Sequence, residues 1–313
     1  MIYATQYPPG FTNNALKFLS FLVNTNIYIS LGAVLLTLET QVQLGMKPQL
    51  YPYLFIIFFA TIFEYNLHRL ITILFYKDAL KDEKHRWVNR NLILFFILVG
   101  LCIIGFSIAI FYAKREVLIT LAPIALITLF YSLPVFKRNT RLFRLREISG
   151  LKIFLIAVVW SAVTILLPII ESGKNFNNGH IFLIFIERFL FIFAITIPFD
   201  IRDMESDSKA GLKTIPLIIG ETKAIYVSNI LLALFLILSI VHYSALNLYF
   251  ILIAIFLSGI ISIVFINSKR LKKFNYYHYI ILDGTLLIQG ILVCLSYYFY
   301  AAITTVPPLL VFD

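Results

Sequence analysis

Long apolar runs recur along the whole chain, separated by short polar connections. Nine such runs are visible, at 26–45, 50–76, 91–113, 117–134, 150–170, 180–199, 223–241, 246–267 and 278–303. Each is of the order needed to cross a bilayer's hydrocarbon core, about 30 Å thick. Backbone polar groups find no water partner there, and the runs are too long and continuously apolar for a porin-type barrel. Each run is therefore predicted to be a transmembrane helix. A shorter stretch at 15–22 predicts an interfacial helix ahead of the first span. Neither a low-complexity linker nor a soluble insert interrupts the series, so residues 1–313 read as a single transmembrane domain in an all-α, polytopic membrane protein.

Composition supports this reading. The chain is 60% hydrophobic and only 13% charged, whereas soluble domains carry about a quarter of their residues as charges. A surface that poor in charge must face lipid. The net charge of +10 raises the possibility of a nucleic-acid partner, but the positions of the charges exclude it. With nine spans, twenty Lys and Arg fall on the side of the N-terminal arm and of the even-to-odd connections, and five (Lys47, Lys114, Arg115, Lys174 and Arg188) on the other; Arg69 lies within the second run. The positive-inside rule then puts the N-terminus in the cytoplasm and the C-terminus outside, as expected in a bacterial inner membrane. Cys102 and Cys294 both sit in apolar runs and read as packing residues rather than a disulfide. The N-terminus lacks a charged start before a short apolar core, so the first span is expected to serve as an uncleaved insertion signal.

Candidate chemistry concentrates after the sixth run, in Asp200-Ile201-Arg202-Asp203-Met204-Glu205-Ser206-Asp207-Ser208-Lys209-Ala210-Gly211-Leu212-Lys213-Thr214. On a continuing helix Asp200, Asp203 and Asp207, at i, i+3 and i+7, share one face. Like charges at this spacing repel. Either a cation neutralises the stripe, or the acids pair with Arg202 and Lys209 in a solvated loop. Hard oxygen donors suit Mg²⁺, which is commonly held by one or two carboxylates together with substrate phosphates. Lys209 and Lys213 lie close enough to meet such a phosphate.

The same string, read as DxxDxxxD followed by Gly, a basic residue and Thr, resembles the second aspartate-rich motif of the UbiA superfamily of intramembrane prenyltransferases. Tyr131-Ser132-Leu133-Pro134, closing the fourth run, resembles the family's Tyr-Ser-x-Pro element. The resemblance implies a nine-helix bundle around a central cavity, a polyprenyl diphosphate donor, Mg²⁺ and a lipophilic acceptor, often an aromatic quinone precursor. It makes Asp203 and Asp207 catalytic magnesium ligands and Asp200 a ligand or its support. It suggests no nucleic-acid partner and no obligate protein partner.

The family's first motif, NDxxDxxxD at the end of span 2, does not survive. Asn66 matches its leading Asn, but Leu67, Leu70 and Leu74 fall where aspartates are expected. An internal comparison agrees: Tyr65–Arg69 parallels Phe199–Asp203, and Asp200, Asp203 and Asp207 map onto Asn66, Arg69 and Ile73. Three readings stay open. Arg69 and His68, with Asn66 beside them and Lys152 in the fifth span, bind the diphosphate in place of one metal, an Arg inside a span being a functional candidate by default. Alternatively Asp78 and Asp82 supply a metal site, or ionisation has been lost and the chain is a transporter or lipid-binding protein of the same fold. Glu64 and His68, four residues apart, read as a local hydrogen-bonded pair. Asp283 starts the ninth span beside the same face, as a cavity residue or as a carboxylate favourable to the helix dipole. His85, His180 and His242 carry no constellation.

Overall fold

The computed structural model describes residues 13–75, 83–138, 141–148, 150–209 and 211–304. The helices run α1 (Asn13–Asn24), α2 (Ile27–Gln43), α3 (Pro52–Phe75), α4 (Glu83–Arg90), α5 (Leu92–Tyr112) and α6 (Arg115–Ser132). A small antiparallel ribbon follows, β1 (Phe136–Arg138) paired with β2 (Arg141–Phe143) through Phe136 opposite Phe143. Then come α7 (Leu151–Ser172), α8 (Asn178–Lys209), α9 (Ile215–Ile219), α10 (Glu221–Ala245), α11 (Tyr249–Asn267) and α12 (Asp283–Thr304), the last entered through a π-helical stretch, Tyr277–Leu282. Among the described residues eight helical segments are long and apolar enough to cross a membrane, and α1 with α2, bent by 75° at their junction, make a ninth if the pair is one span. The chain is an integral multi-pass membrane protein; α2 and the eight long segments match the nine apolar runs to within a few residues, except that α8 runs well past 199, and α1 covers the stretch expected to be interfacial.

The helices close a ring: α2 packs on α3, α7 and α12, α3 on α6, α6 on α7, α7 on α8, α8 on α10, α10 on α11, and α11 on α12. Small residues permit the closest approaches. A Cβ at Gly290 of α12 would lie 2.6 Å from the carbonyl carbon of Leu35 on α2, so those two backbones meet only because Gly290 has no side chain. α5 lies behind α3 and presents most of its surface outward.

The α1–α2 break is held by side chains from α3. Asn26 adopts a left-handed conformation with φ of 64°, which Asn tolerates better than most residues. Its amide donates to Asn66 Oδ1 at 3.0 Å, and Asn66 Nδ2 donates to Thr25 O at 3.2 Å. Arg69 donates to Asn24 O at 2.5 Å and to Asn26 Oδ1 at 2.8 Å. These bonds satisfy polar backbone groups that the break removes from a helical ladder.

In the half of the bundle away from the basic loops lies a polar core that the pattern of apolar runs hides. Arg188 of α8, 1% exposed, pairs with Glu39 of α2 at 3.0 Å and donates to Leu36 O, Thr164 Oγ1, Thr40 Oγ1 and Gln43 Oε1 at 2.9–3.3 Å. Gln289 of α12 donates to Glu39 at 2.9 Å. Glu187 accepts from Tyr243 at 3.0 Å and lies 2.8 Å from His242 Nδ1, whose Nε2 is 2.7 Å from His180 Nδ1; His180 Nε2 donates to Gln43 O at 2.8 Å. Two sequence expectations are corrected here. His180 and His242 do belong to a constellation, and Arg188 is a buried span residue rather than a loop charge.

Candidate functional site

Lys152, in the first turn of α7, sits at the centre of the site. The chain reaches it through Gly150, whose φ of 74° falls in the left-handed region that glycine adopts without strain. A positive charge at a helix N-terminus is disfavoured by the dipole, so an external partner must hold it. α8 supplies three. The helix passes Pro198 without ending and carries Asp200, Asp203 and Asp207 on one stripe, as their spacing predicts. Lys152 Nζ lies 2.9 Å from Asp200 Oδ1, 3.5 Å from Asp203 Oδ2 and 3.2 Å from Asp207 Oδ2. Asp200 and Asp207 are buried; the Asp203 side chain keeps 26% of its surface exposed toward the cavity.

The local pairs foreseen for the acidic stripe are also present in part. Arg202 grips Asp203 through two bonds, Nε to Oδ1 at 2.8 Å and Nη2 to Oδ2 at 3.2 Å. Its guanidinium lies 5.2 Å from the centroid of the Phe199 ring and 4.9 Å from that of Tyr279, which fixes its direction. Lys209 pairs with Glu205 at 2.5 Å, on the exposed side of the helix.

Above the triad opens a cavity of about 1370 Å³, larger than most small-molecule pockets, which run to roughly 1,000 Å³. Its mouth is polar and carries Lys152, Arg146, Arg144, His68 and the triad. Its interior is apolar, walled by residues such as Phe63, Phe106, Leu121, Val159 and Trp160. Thr164, which accepts from Arg188, borders it and separates it from the buried polar core. Arg144 and Arg146 return to the mouth through the ribbon and the short 3-10 turn Leu145–Glu147, where Arg144 pairs with Glu147 at 2.8 Å. Arg146 meets His68 Nε2 and lies 5.7 Å from the centroid of the Tyr131 ring. Ser132, from the Tyr-Ser-x-Pro element, donates to Glu64.

The predicted residues divide accordingly. Asp200, Asp203, Asp207, Lys152, His68, Arg69 and Lys209 border one cavity. Asn66 does not; it hydrogen-bonds at the α1–α2 junction, as does Arg69 while also bordering the cavity. Lys213 borders a separate small pocket behind Lys152. Glu64 and His68 do not simply pair locally, since each has a partner on another element. Asp283 borders the cavity. Asp78 and Asp82 lie outside the described residues. Arg144 and Arg146, from the basic connection that ends at Lys152, border the cavity as well; on sequence alone that run suits a pyrophosphate or anionic lipid equally.

The donor set can be tested for a metal. Three hard carboxylates converge, and Asp200 Oδ1 is buried with no hydrogen bond besides its ion pair to Lys152. Such a set suits one Mg²⁺. As the side chains stand, no group of three His, Cys, Asp or Glu among the described residues closes tightly enough to hold a metal, and the Lys152 ammonium lies between the three carboxylates.

The fold is shared with known proteins. The fold resembles that of a UbiA homolog from Archaeoglobus fulgidus bound to GPP and Mg²⁺ (TM-score 0.62, 15% identity, covering 91% of this chain and 99% of that one). It also resembles a UbiA homolog from Aeropyrum pernix K1 (0.58, 15%, 89% and 98%) and a structure described for digeranylgeranylglyceryl phosphate synthase (0.52, 20%, 90% and 96%). No curated protein matches the sequence. The sequence pattern of the UbiA prenyltransferase family matches residues 84–275, which include the ribbon, Lys152 and the whole acidic stripe, and the chain belongs to that family.

Proposed function

We propose that the protein transfers a prenyl group from a polyprenyl diphosphate to a lipophilic acceptor held in the same cavity, an aromatic compound of the quinone-precursor kind. The observation that carries this reading is the polarity of the cavity: one charged mouth with both signs of charge, opening into an apolar chamber inside the membrane. A prenyl diphosphate has the same division, an anionic head on a hydrocarbon tail. The A. fulgidus homolog has been solved with prenyl diphosphates and Mg²⁺, which supports the same ligand class here.

In this mechanism the head group lies among Lys152, Arg146, Arg144 and His68, on the cytoplasmic face. Mg²⁺, held by Asp203 and Asp207 with Asp200 behind them, would neutralise charge on the diphosphate. Arg202 keeps Asp203 oriented. As the allylic C–O bond breaks, its electron pair leaves with the diphosphate, and the fixed cations at the mouth stabilise the charge that develops there. The apolar walls keep water from the carbocation. An electron-rich acceptor carbon then forms the new C–C bond and loses its proton to a base at the cavity; outside the triad, Glu64, Glu147, Glu205 and Asp283 are the carboxylates that border it.

Purified protein incubated with labelled geranyl diphosphate, Mg²⁺ and a panel of phenolic acceptors should release pyrophosphate and form a prenylated product, and Asp203→Asn should reduce both at least about a hundredfold. Ligand binding without pyrophosphate release across acceptors and chain lengths would instead favour a transporter or lipid-binding protein.

A further inference from the structure

We propose that Lys152 is a resident counter-ion that a divalent metal must displace, so that ammonium and metal compete for the same three carboxylates. The inference rests on the reading of the triad as the metal site. Three buried or half-buried carboxylates on one helical stripe repel one another, and their charge must be met from outside the helix. Lys152 meets it: its Nζ lies within 3.5 Å of an oxygen from each. A metal held by these same carboxylate oxygens would compete with the ammonium for them, since two cations gathered at one set of oxygens repel each other.

Lys152 has somewhere to go. Its flexible four-carbon stem starts at the cavity wall, and the space beside it is the mouth bordered by Arg146, Arg144 and His68. An ammonium expelled from the triad becomes one more cation facing the cavity, where an anionic head group would hold it. Metal alone should therefore bind weakly, since it strands the ammonium among other cations. Metal with an anion should bind well, since the anion takes up the displaced charge.

The test is Mn²⁺ binding to full-length protein in detergent, read from the electron paramagnetic resonance of free Mn²⁺, with no diphosphate present. Lys152→Gln should bind Mn²⁺ at least about tenfold more tightly than wild type, while Lys152→Arg, which keeps the charge, should stay within about threefold of it. Wild type binding Mn²⁺ as tightly as Lys152→Gln overturns this inference and leaves the transferase reading standing. No Mn²⁺ binding by either protein, even with geranyl diphosphate added, overturns the metal site itself. A second measurement needs no variant: acetic anhydride labelling of Lys152 in wild type, followed by mass spectrometry, should increase when Mg²⁺ is added. Unchanged or reduced labelling at saturating Mg²⁺ counts against displacement.

Discussion

Replacing Arg188 with Leu removes a guanidinium that is 1% exposed and makes five polar contacts within the bundle. The largest consequence falls on Glu39, whose side chain is fully buried. Gln289 and Gln43 still donate to its Oε1, at 2.9 and 3.3 Å, but its Oε2 already has no hydrogen-bond partner. Removing one member of a buried ion pair costs about 3–5 kcal/mol, mostly because the other charge is left uncompensated. At roughly 2 °C per kcal/mol for a chain of this size, the melting temperature should fall by about 8 °C. Cys102, 2% exposed, and the half-buried Cys294 allow a thiol-reactive dye to report unfolding in detergent without added labels. If uncompensated charge is the cause, Glu39→Gln in the Arg188→Leu background should restore at least half of the loss, because an amide needs no counter-ion. An Arg188→Leu protein melting within about 2 °C of wild type, or a double variant no better than the single one, would refute the reasoning.

Arg69→Ala should lower the melting temperature through its bonds to Asn24 and Asn26, each worth about 1.5–3 kcal/mol. Its affinity for geranyl diphosphate, measured by calorimetry, should change less than about threefold; a loss of tenfold or more would return Arg69 to the ligand site. Gly290→Ala should destabilise by about 1–3 kcal/mol, since its new Cβ would overlap the Leu35 backbone. Gly100→Ala, with nothing within 4 Å of its new Cβ, should be neutral or stabilising in the same melting assay. Trp160→Ala enlarges the apolar chamber and should shift donor preference toward longer prenyl chains in competition assays. An unchanged chain-length profile would place the tail elsewhere.

What the sequence made legible was local. Apolar runs of the right length identify spans whatever they pack against, and Asp200, Asp203 and Asp207 share a face through helical spacing alone. The α1–α2 break was partly visible as a short helix ahead of the first span. What holds it was not, because Asn66 and Arg69 reach it from about forty residues away in sequence. Lys152 and Asp207 are 55 residues apart and Glu39 and Gln289 are 250 apart, separations at which no periodicity connects them. Basic residues abound on the face where Lys152 lies, so charge alone did not single it out.

The two charge clusters also show why an ionisable residue in a span needs its surroundings before it can be given a role. Both place a cation against buried carboxylates, and both qualify as functional candidates on that ground. The Arg188 cluster is closed: its guanidinium is spent on five acceptors, and neither it nor Glu39 borders the cavity. A charge fixed on every side can hold helices together but cannot take up a ligand without breaking the fold. The Lys152 cluster is open on one side, with Asp203 exposed toward about 1370 Å³ of space and Lys152 itself on the cavity lining. If the proposed exchange of one cation for another occurs, it belongs there, because only that cluster has a side open to a ligand; the number of charges does not distinguish the two.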